Sequence, residues 1–436
     1  MGNAASDTAT AEDCGTPWTG LQGAVSAVLE DFGPGLITGA ADDDPSGIAT
    51  YAQAGAQGGM HLLWTLVLTY PLMSVVQLIC AEIGRVTGRG LTTNMTRIFP
   101  AELVMGFVGL LFIANTINIG ADLAAMGSSA ALVTGLSPHP LTIGFALLSL
   151  ILVIWMPYRS YARFLKWLTL ALFSYIALLF TVTLDWSQIA AGLVIPRIDG
   201  RTGLVMVVAI FGTTISPYLF FWQSELEVEE LGGQAGTQPL GGNRKGIARE
   251  FARMRVDTWV GMALSNIVGI AIMIGTAATL HAAGKTSIQS AADAAAALQP
   301  VAGRFSSLLF SLGVVGTGLL AVPVLAGSAA YAVAELEGWR SSLSSRFHDA
   351  KGFYAIIIAA TLFGVALDWS PLDPVRALVW SAVLNGVAAV PLLIGIMILA
   401  GSRAIMGGYS IGGPMRIAGW ATAALMAAAV VGMFIL

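Results

Sequence analysis

Two stretches of this chain combine a proline with oxygen-bearing side chains inside otherwise apolar sequence. The first places three acids, Asp42 to Asp44, directly before Pro45. The second places two threonines and a serine, within Thr213 to Ser216, directly before Pro217. A proline inside a helix removes one backbone donor and frees a carbonyl. Because carboxylate, hydroxyl and freed carbonyl oxygens bind hard cations, both stretches are candidate parts of one cation site.

Composition identifies the chain as a polytopic membrane protein. Of its 436 residues, 56% are hydrophobic and only 11% are charged, whereas soluble domains average about 25% charged residues. Within a bilayer, a broken helix persists only where protein or a water-filled cavity covers its free backbone groups. The sequence contains no nucleotide-binding loop, zinc motif or nucleophile–base pair. We therefore expect neither an enzyme nor a bound cofactor, no nucleic acid and no required protein partner.

Apolar segments predict eleven membrane spans, at residues 32–55, 61–83, 103–134, 140–157, 162–184, 203–225, 256–280, 305–335, 352–367, 375–400 and 414–436. If the N-terminus is cytoplasmic, sixteen of the 21 Lys and Arg residues lie in loops on the cytoplasmic side. Cytoplasmic loops are enriched in these residues. The charge distribution therefore predicts a cytoplasmic N-terminus and an external C-terminus, in a membrane of the bacterial inner (plasma) membrane type.

The two proline-containing stretches lie in the first and sixth spans, five spans apart. Because five is an odd number, the two halves of the chain must have opposite orientations. We expect an inverted repeat of five helices each, covering 32–184 and 203–400, with 414–436 outside it and 1–31 as a disordered cytoplasmic tail. A discontinuous helix at matching positions of two such repeats indicates the binding site of a secondary transporter.

The third and tenth spans contain further polar residues. Asn115, Asn118 and Asp122 follow the spacing i, i+3, i+7 of one helical face. Asp122 is the stronger functional candidate, because a carboxylate in lipid needs a partner or water, whereas the asparagines are equally well explained by interhelical hydrogen bonds. Asn385 in the tenth span has the same two interpretations. The glutamates from Glu225 to Glu230 are expected to form a solvated helix end.

On these residues the chain resembles the Nramp family of divalent-metal transporters, over about Gly33 to Ile398. The resemblance is carried by residues 33–35 (Gly-Pro-Gly) with the Asp-Pro break after them, by residues 119–124 (Ile-Gly-Ala-Asp-Leu-Ala), and by the proline-broken sixth span. It implies an all-α membrane protein with the LeuT-type fold, an inverted repeat of five plus five helices, discontinuous helices 1 and 6, and eleven transmembrane helices. It also implies a metal ion held between the unwound middles of those two helices.

The resemblance assigns positions to the metal site and shows departures there. The family's aspartate, proline and asparagine correspond to Asp44, Pro45 and Gly47. Its methionine corresponds to Ser216, and the residue whose carbonyl faces the metal corresponds to Thr213. The site thereby loses its sulfur ligand and gains space. Oxygen ligands suit Mg²⁺, Ca²⁺ or Mn²⁺ rather than softer metals, and Mg²⁺ tends to keep several of its waters.

The groups that the family uses for proton relay are largely absent. Two histidines of the sixth span correspond to Tyr218 and Gln223, a glutamate of the third span corresponds to Ala125, and the ninth span, 352–367, has no arginine. We therefore expect weak or no proton coupling. These departures resemble those of the magnesium-transporting branch of Nramp-related proteins.

The sequence thus predicts a secondary transporter in the lipid bilayer that moves divalent cations, Mg²⁺ and also Mn²⁺, into the cytoplasm by alternating access. The predicted metal-site residues are Asp44, Thr213, Ser216, Gly47 and Asn385, and Asp122 and Asp43 are predicted to line a proton or cation path. Three alternatives stay open: a proton-coupled Mn²⁺/Fe²⁺ transporter of the same family, a sodium-coupled amino-acid transporter of the same fold, and a non-transporting metal sensor. The acid cluster disfavours the amino-acid transporter, because such sites direct helix N-termini at a substrate carboxylate.

Overall fold

The computed structural model describes residues 34–156, 170–233, 244–343, 347–369 and 373–435. These residues form helices and connecting loops, and no β-strand occurs among them. This agrees with the predicted all-α fold. The predicted tail at 1–31 lies outside the described part of the chain, so the proposed division into tail, repeats and final helix stays a prediction.

Helix bounds follow the predicted apolar segments. In chain order the α-helices of the described segments are α1 (Pro34–Asp42), α2 (Pro45–Gly58), α3 (Leu63–Thr87), α4 (Leu91–Met95), α5 (Ala101–Thr134), α6 (Pro138–Trp155), α7 (Phe173–Leu178), α8 (Trp186–Val194), α9 (Gly200–Thr214), α10 (Pro217–Gly233), α11 (Arg244–Thr276), α12 (Ala291–Ala296), α13 (Gln299–Ala302), α14 (Ser306–Leu336), α15 (Lys351–Ala366), α16 (Pro374–Gly401), α17 (Arg403–Met406) and α18 (Gly413–Ile435). Short 3₁₀ turns and one π-helical turn, Ala277–His281, adjoin some of them.

Nine helical segments of the described residues are long and apolar enough to cross a membrane, and one of them, Gly200–Leu231, comprises α9 and most of α10. They correspond to all of the predicted spans except the first and the fifth. The first is divided into two helices that are each too short to cross alone, and the fifth, predicted at 162–184, includes residues outside the described part. The chain is therefore an integral membrane protein, while the total of eleven spans and the orientation of the termini stay predictions.

The first span breaks between α1 and α2, as predicted. Asp44 is the N-cap of α2 in an extended conformation (φ −72°, ψ 167°), and Pro45 occupies the first turn. Aspartate favours the N-cap because its side chain accepts a free backbone N–H, and proline favours the first turn because its missing N–H is not needed there. The Asp-Pro pair therefore starts a new helix in the middle of the span.

The sixth span breaks in the same way between α9 and α10. The apolar segment Gly200–Leu231 is long enough to cross as a single span, yet α9 ends at Thr214 and α10 begins at Pro217. The carbonyl of Ser216 accepts the Leu219 N–H at 3.2 Å, which closes the first turn of α10. Both predicted discontinuous helices are confirmed, and in each the second half begins with a proline.

Glycines bring the broken helices into direct backbone contact with their neighbours. A Cβ on Gly39 of α1 would lie 2.4 Å from the backbone of Gly261 in α11, and one on Gly35 would lie 2.6 Å from the Thr258 nitrogen. A Cβ on Gly212 of α9 would lie 2.0 Å from the Ala382 oxygen of α16. Small residues at such crossings let membrane helices pack closely. The two breaks are thereby fixed between α11 and α16.

The glutamates of α10 are not solvated, so that prediction is wrong for two of them. Glu225 is 4% exposed and Glu227 is 1% exposed. The reason is tertiary. Glu227 lies 3.9 Å from the buried Arg85 of α3, whose Nη2 atom donates to Glu250 of α11 at 2.8 Å and whose Nη1 atom lies 3.6 Å from Glu230. Glu225 lies instead against Gly90 and beside Glu335 of α14. Helix α10 therefore ends inside an ion-pair network.

Candidate metal centre

The carboxylate of Asp44 lies buried at the first break, where it is held by neutral donors. Its Oδ1 atom accepts the Gly47 N–H at 2.6 Å, and its Oδ2 atom accepts from Asn118 Nδ2 at 2.9 Å. The hydroxyl of Thr213, from the second break, is a further hydrogen-bonding neighbour. None of the ion pairs found among the described residues includes Asp44. Its negative charge is therefore available to a cation.

Oxygen atoms from both breaks converge on the bare Cα of Gly47. A Cβ at this position would lie 3.1 Å from Thr213 Oγ1, 3.2 Å from Asp44 Oδ1 and 3.5 Å from the main-chain oxygen of Asp42. The space between these oxygens exists because residue 47 has no side chain. Carboxylate, hydroxyl and carbonyl oxygens are the ligands that suit Mg²⁺, Ca²⁺ or Mn²⁺.

Asn118 of α5 orients the Asp44 carboxylate. Its amide nitrogen donates to Asp44, and its amide oxygen accepts from Ser381 Oγ of α16 at 2.6 Å. The hydroxyl of Ser46, beside Asp44, donates to Leu378 of α16 at 3.0 Å. Sequence reasoning gave Asn118 no place among the predicted site residues. The available signal was its position on the same helical face as Asp122.

Asn115, one turn earlier, forms interhelical hydrogen bonds, which the sequence analysis gave as the alternative role for both asparagines. Its amide nitrogen donates to the Leu325 oxygen at 2.9 Å and to Ser328 Oγ at 2.8 Å, both on α14. The sequence treats Asn115 and Asn118 alike, because both lie on one face of α5. In the fold, Asn115 makes an interhelical hydrogen bond, whereas Asn118 contacts Asp44.

The hydroxyl of Ser216 points back along α9. It donates to the carbonyls of Gly212 at 2.8 Å and Thr213 at 2.6 Å. The freed Thr213 carbonyl is therefore already a hydrogen-bond acceptor, and the Thr213 group nearest Asp44 is the hydroxyl. Ser216 retains lone pairs for a cation or a bridging water.

Asn385 is buried on α16 next to the crossing with α9, but it is not joined to the oxygens around Gly47. A Cβ on the adjacent Gly386 would lie 2.7 Å from the Val208 oxygen. Within the described segments no hydrogen bond links Asn385 to Asp44 or Thr213, and its amide oxygen has no partner there. Its predicted role at the metal stays untested.

Asp122 and Asp43 take different positions around the break. Asp122 is fully buried beside the Ser46 amide at the start of α2, and neither of its carboxylate oxygens has a hydrogen-bond partner among the residues described. Asp43 contacts Ser265 of α11, whose hydroxyl lies 2.9 Å from its Oδ1 atom. In the part of the chain that is described, no three His, Cys, Asp or Glu side chains are grouped to hold a metal ion. A metal at Asp44 would therefore be bound mainly by hydroxyls, carbonyls and water.

The surroundings of the break differ on its two sides. A cavity of about 330 Å³ lies near the far end of α2, lined by Gln53, Gln57, Thr202 and Arg376 among others. Helix α10 packs beside α1; its Trp222 lies edge to face with Tyr331, with ring centroids 6.3 Å apart, and its Glu227 lies 3.9 Å from Arg85. Asp44 thus lies between a cavity and a packed layer.

Comparison with known proteins places this chain among metal transporters. The model of the natural resistance-associated macrophage protein-like family, Nramp, matches residues 35–436. Proteins called "divalent metal cation transporter MntH" are 28% identical in Klebsiella pneumoniae, covering 91% of each chain, and 29% identical in Burkholderia ambifaria, covering 93% of this chain and 89% of that one. These names agree with the expectation that the protein is not an enzyme.

Solved structures support the fold. A variant of the Eremococcus coleocola manganese transporter superposes with a TM-score of 0.75 at 19% identity, covering 94% of this chain and 86% of that chain. Mhp1, a nucleobase-cation-symport-1 family transporter, superposes with a TM-score of 0.56 at 12% identity, covering 92% of each chain. The predicted LeuT-type fold is thereby confirmed. With a family model that matches nearly its whole length, the chain belongs to the Nramp family.

Proposed function

We propose that the protein moves divalent metal cations, Mg²⁺ and also Mn²⁺, into the cytoplasm by alternating access, with weak or no proton coupling. The observation that carries the proposal is the convergence of Asp44, Thr213 and the Asp42 carbonyl on the space at Gly47. One buried carboxylate between two helix breaks, with oxygens around it, can bind and release a hydrated cation. The relatives named as divalent metal cation transporters support the same class of substrate.

The donor set supports Mg²⁺ as a substrate. Mg²⁺ gives up its waters reluctantly and is usually held by one or two carboxylates with several waters retained. The three atoms nearest a Cβ at Gly47 are all oxygens, and Ser216 stands where the family has methionine. Soft ligands would instead favour softer metals.

Hydrogen bonding at the former histidine positions supports weak proton coupling. The Tyr218 hydroxyl donates to the Ala41 oxygen at 3.2 Å, and Gln223 accepts from the Thr38 hydroxyl. Tyrosine and glutamine do not titrate near neutral pH, so neither replaces a histidine as proton carrier. The membrane potential supplies a driving force instead, about 4.6 kcal/mol for a divalent ion at about 100 mV.

A proton-coupled Mn²⁺ transporter is the second candidate function. Two observations favour it: one structurally similar protein is a manganese transporter, and Asp122 is a buried carboxylate without a hydrogen-bond partner among the described residues. Competition between Mg²⁺, Mn²⁺, Ca²⁺ and Cd²⁺ in proteoliposomes, with internal pH recorded, separates the two. A proton flux that follows Mn²⁺ uptake favours the second candidate.

The metal site is tested by Asp44→Ala in proteoliposomes. We expect this variant to lose Mg²⁺ and Mn²⁺ uptake while it keeps the elution profile and thermal stability of a folded protein. Asp199→Ala is the matched control, because Asp199 is an exposed aspartate that pairs with His61 at the start of α9, outside both breaks. Normal uptake by Asp44→Ala would refute the assignment of the site.

A further inference from the structure

Two more carboxylates at the first break contact α11. Asp42 Oδ2 lies 2.6 Å from Ser265 Oγ, and Asp43 Oδ1 lies 2.9 Å from the same hydroxyl. A hydroxyl has one proton, so Ser265 can satisfy only one of these oxygens at a time. The two carboxylates therefore share one donor and face a common point on α11.

Helix register explains this arrangement. Along the interface of α1 and α11, Gly35 contacts Thr258 and Gly39 contacts Gly261, each with no room for a Cβ. Continuing this register by one turn brings Asp42 to Ser265. The arrangement is thus fixed by backbone packing and does not depend on a flexible side chain reaching across a gap.

The pair lacks the partners that buried charges require. Asp42 is 0% exposed, and its Oδ1 atom has no hydrogen-bond partner among the described residues. No Lys or Arg pairs with Asp42 or Asp43 in that part of the chain. Two unpaired carboxylates in a protein interior are costly, and a divalent cation would neutralise both charges.

The backbone at this point also favours a cation. Helix α1 ends at Asp42, so its negative C-terminal end faces the pair. Asp43 keeps partial exposure between two buried neighbours, which gives the pair a route to water. The main-chain oxygen of Asp42 faces the space at Gly47 in the Asp44 site. One residue therefore contributes to both places, its carbonyl to one and its side chain to the other.

We propose that Asp42, Asp43 and Ser265 form a second binding site for the transported divalent cation, separate from Asp44. This inference rests on the function proposed above. The second site lies on the α1 side of the break, toward the face that the charge distribution predicts to be cytoplasmic. A cation leaving Asp44 toward that face passes from one oxygen-lined site to the next across the Asp42 backbone.

Equilibrium binding of Mn²⁺ to the solubilised full-length chain, with free Mn²⁺ measured by electron paramagnetic resonance, tests the second site. We expect Asp44→Asn to lose uptake but to retain weaker Mn²⁺ binding. Adding Asp42→Asn and Asp43→Asn to that variant should abolish the remaining binding. The amide replacements keep the size of each side chain, and elution profile and melting temperature report folding.

A second variant leaves Asp42 and Asp43 unchanged and alters only the residue that they share. In the Asp44→Asn background, Ser265→Ala should weaken the remaining Mn²⁺ binding by about fivefold, the usual effect of losing one oxygen partner. Ser149→Ala is the control, because Ser149 is a buried serine on α6, outside both breaks. It should leave Mn²⁺ binding unchanged.

The outcomes separate the two proposals. If Asp44→Asn binds no Mn²⁺ and does not transport, the second site is refuted and the Asp44 site stands. If the remaining binding survives the loss of both Asp42 and Asp43 carboxylates, or is unaffected by Ser265→Ala, the second site is likewise refuted. If Asp44→Asn transports like the wild type, the function proposed for Asp44 is refuted.

Discussion

At the scale of single residues, the site depends on which atoms surround Asp44. Its two oxygens accept from a backbone N–H and from an asparagine, both neutral donors. Neutral donors orient a carboxylate without cancelling its charge, whereas an arginine partner would remove its attraction for a cation. Asn118 is itself fixed by Ser381, so the orientation of Asp44 is set by α5 and α16 together.

Asn118→Ala should weaken divalent-cation binding about tenfold, because the Asp44 carboxylate loses a buried donor and its fixed orientation. Asn115→Ala is the matched control on the same helical face, since Asn115 bonds only to α14 in the described segments. It should lower thermal stability and leave cation affinity unchanged. Isothermal titration calorimetry of both purified variants with Mg²⁺ and Mn²⁺ measures their cation affinity. Equal loss of affinity in both would contradict the role given to Asn118.

Ser216→Met should shift selectivity toward Mn²⁺ and Cd²⁺, because a thioether favours softer metals. The substitution also removes the hydroxyl that bonds to Gly212 and Thr213. Ser216→Ala removes that hydroxyl without adding sulfur, so the difference between the two variants isolates the thioether. Competition uptake assays provide the comparison. An identical ion profile in the two variants would count against the argument from ligand softness.

At the scale of elements, the site depends on helices that end in mid-membrane against close-packed neighbours. Each break is set locally by a proline at the first turn of the second half-helix. Each is then fixed by glycine contacts, α1 on α11 and α9 on α16. Without these crossings the free backbone groups would face lipid, which the bilayer does not tolerate.

Gly39→Ala should lower the stability of the protein by about 1–3 kcal/mol, because its Cβ would overlap the Gly261 backbone and force α1 from α11. Gly106→Ala on α5 is the control, since a Cβ there meets nothing within 4 Å. Thermal unfolding in detergent should show a lower midpoint for the first variant only. Equal midpoints would show that α1 and α11 can separate at no cost.

At the scale of the whole molecule, Asp44 lies between a cavity on the α2 side and a packed layer on the α1 side. The layer contains an aromatic pair and an ion-pair network that joins α3, α10 and α11 through the buried Arg85. Under the alternating access proposed above, this layer would open while the cavity closes. The second carboxylate pair, Asp42 and Asp43, lies on the side of the layer.

Uptake of Mg²⁺ into proteoliposomes should rise with an inside-negative potential set by potassium and valinomycin, because each ion carries two positive charges. The internal pH should stay constant during that uptake, since the proton-relay residues of the family are largely absent from the sequence. A pH-sensitive dye inside the vesicles records the internal pH with and without the membrane potential. Internal acidification in proportion to the metal taken up would contradict weak coupling and favour the second candidate function.

The sequence by itself determined where each helix breaks and which carboxylate begins the second half. Those features are local: proline excludes the helix interior, and aspartate caps the turn that follows. Nine of the predicted spans were equally clear from the sequence, because hydropathy is a property of each segment by itself. The resemblance to the Nramp family added the expectation that the two breaks meet, and the family match agrees with it.

Only the tertiary structure decided how polar groups are paired. The sequence could not separate Asn118 from Asn115, because both lie on one face of α5 and differ only in their neighbours. It predicted Glu225 and Glu227 in water, because nothing near them in the chain indicates that α3 covers Glu227 and that α14 covers Glu225. It could not place Asp42 on Ser265, which lies more than two hundred residues away. Each of these depends on helix packing and register, properties that arise between elements distant in the chain.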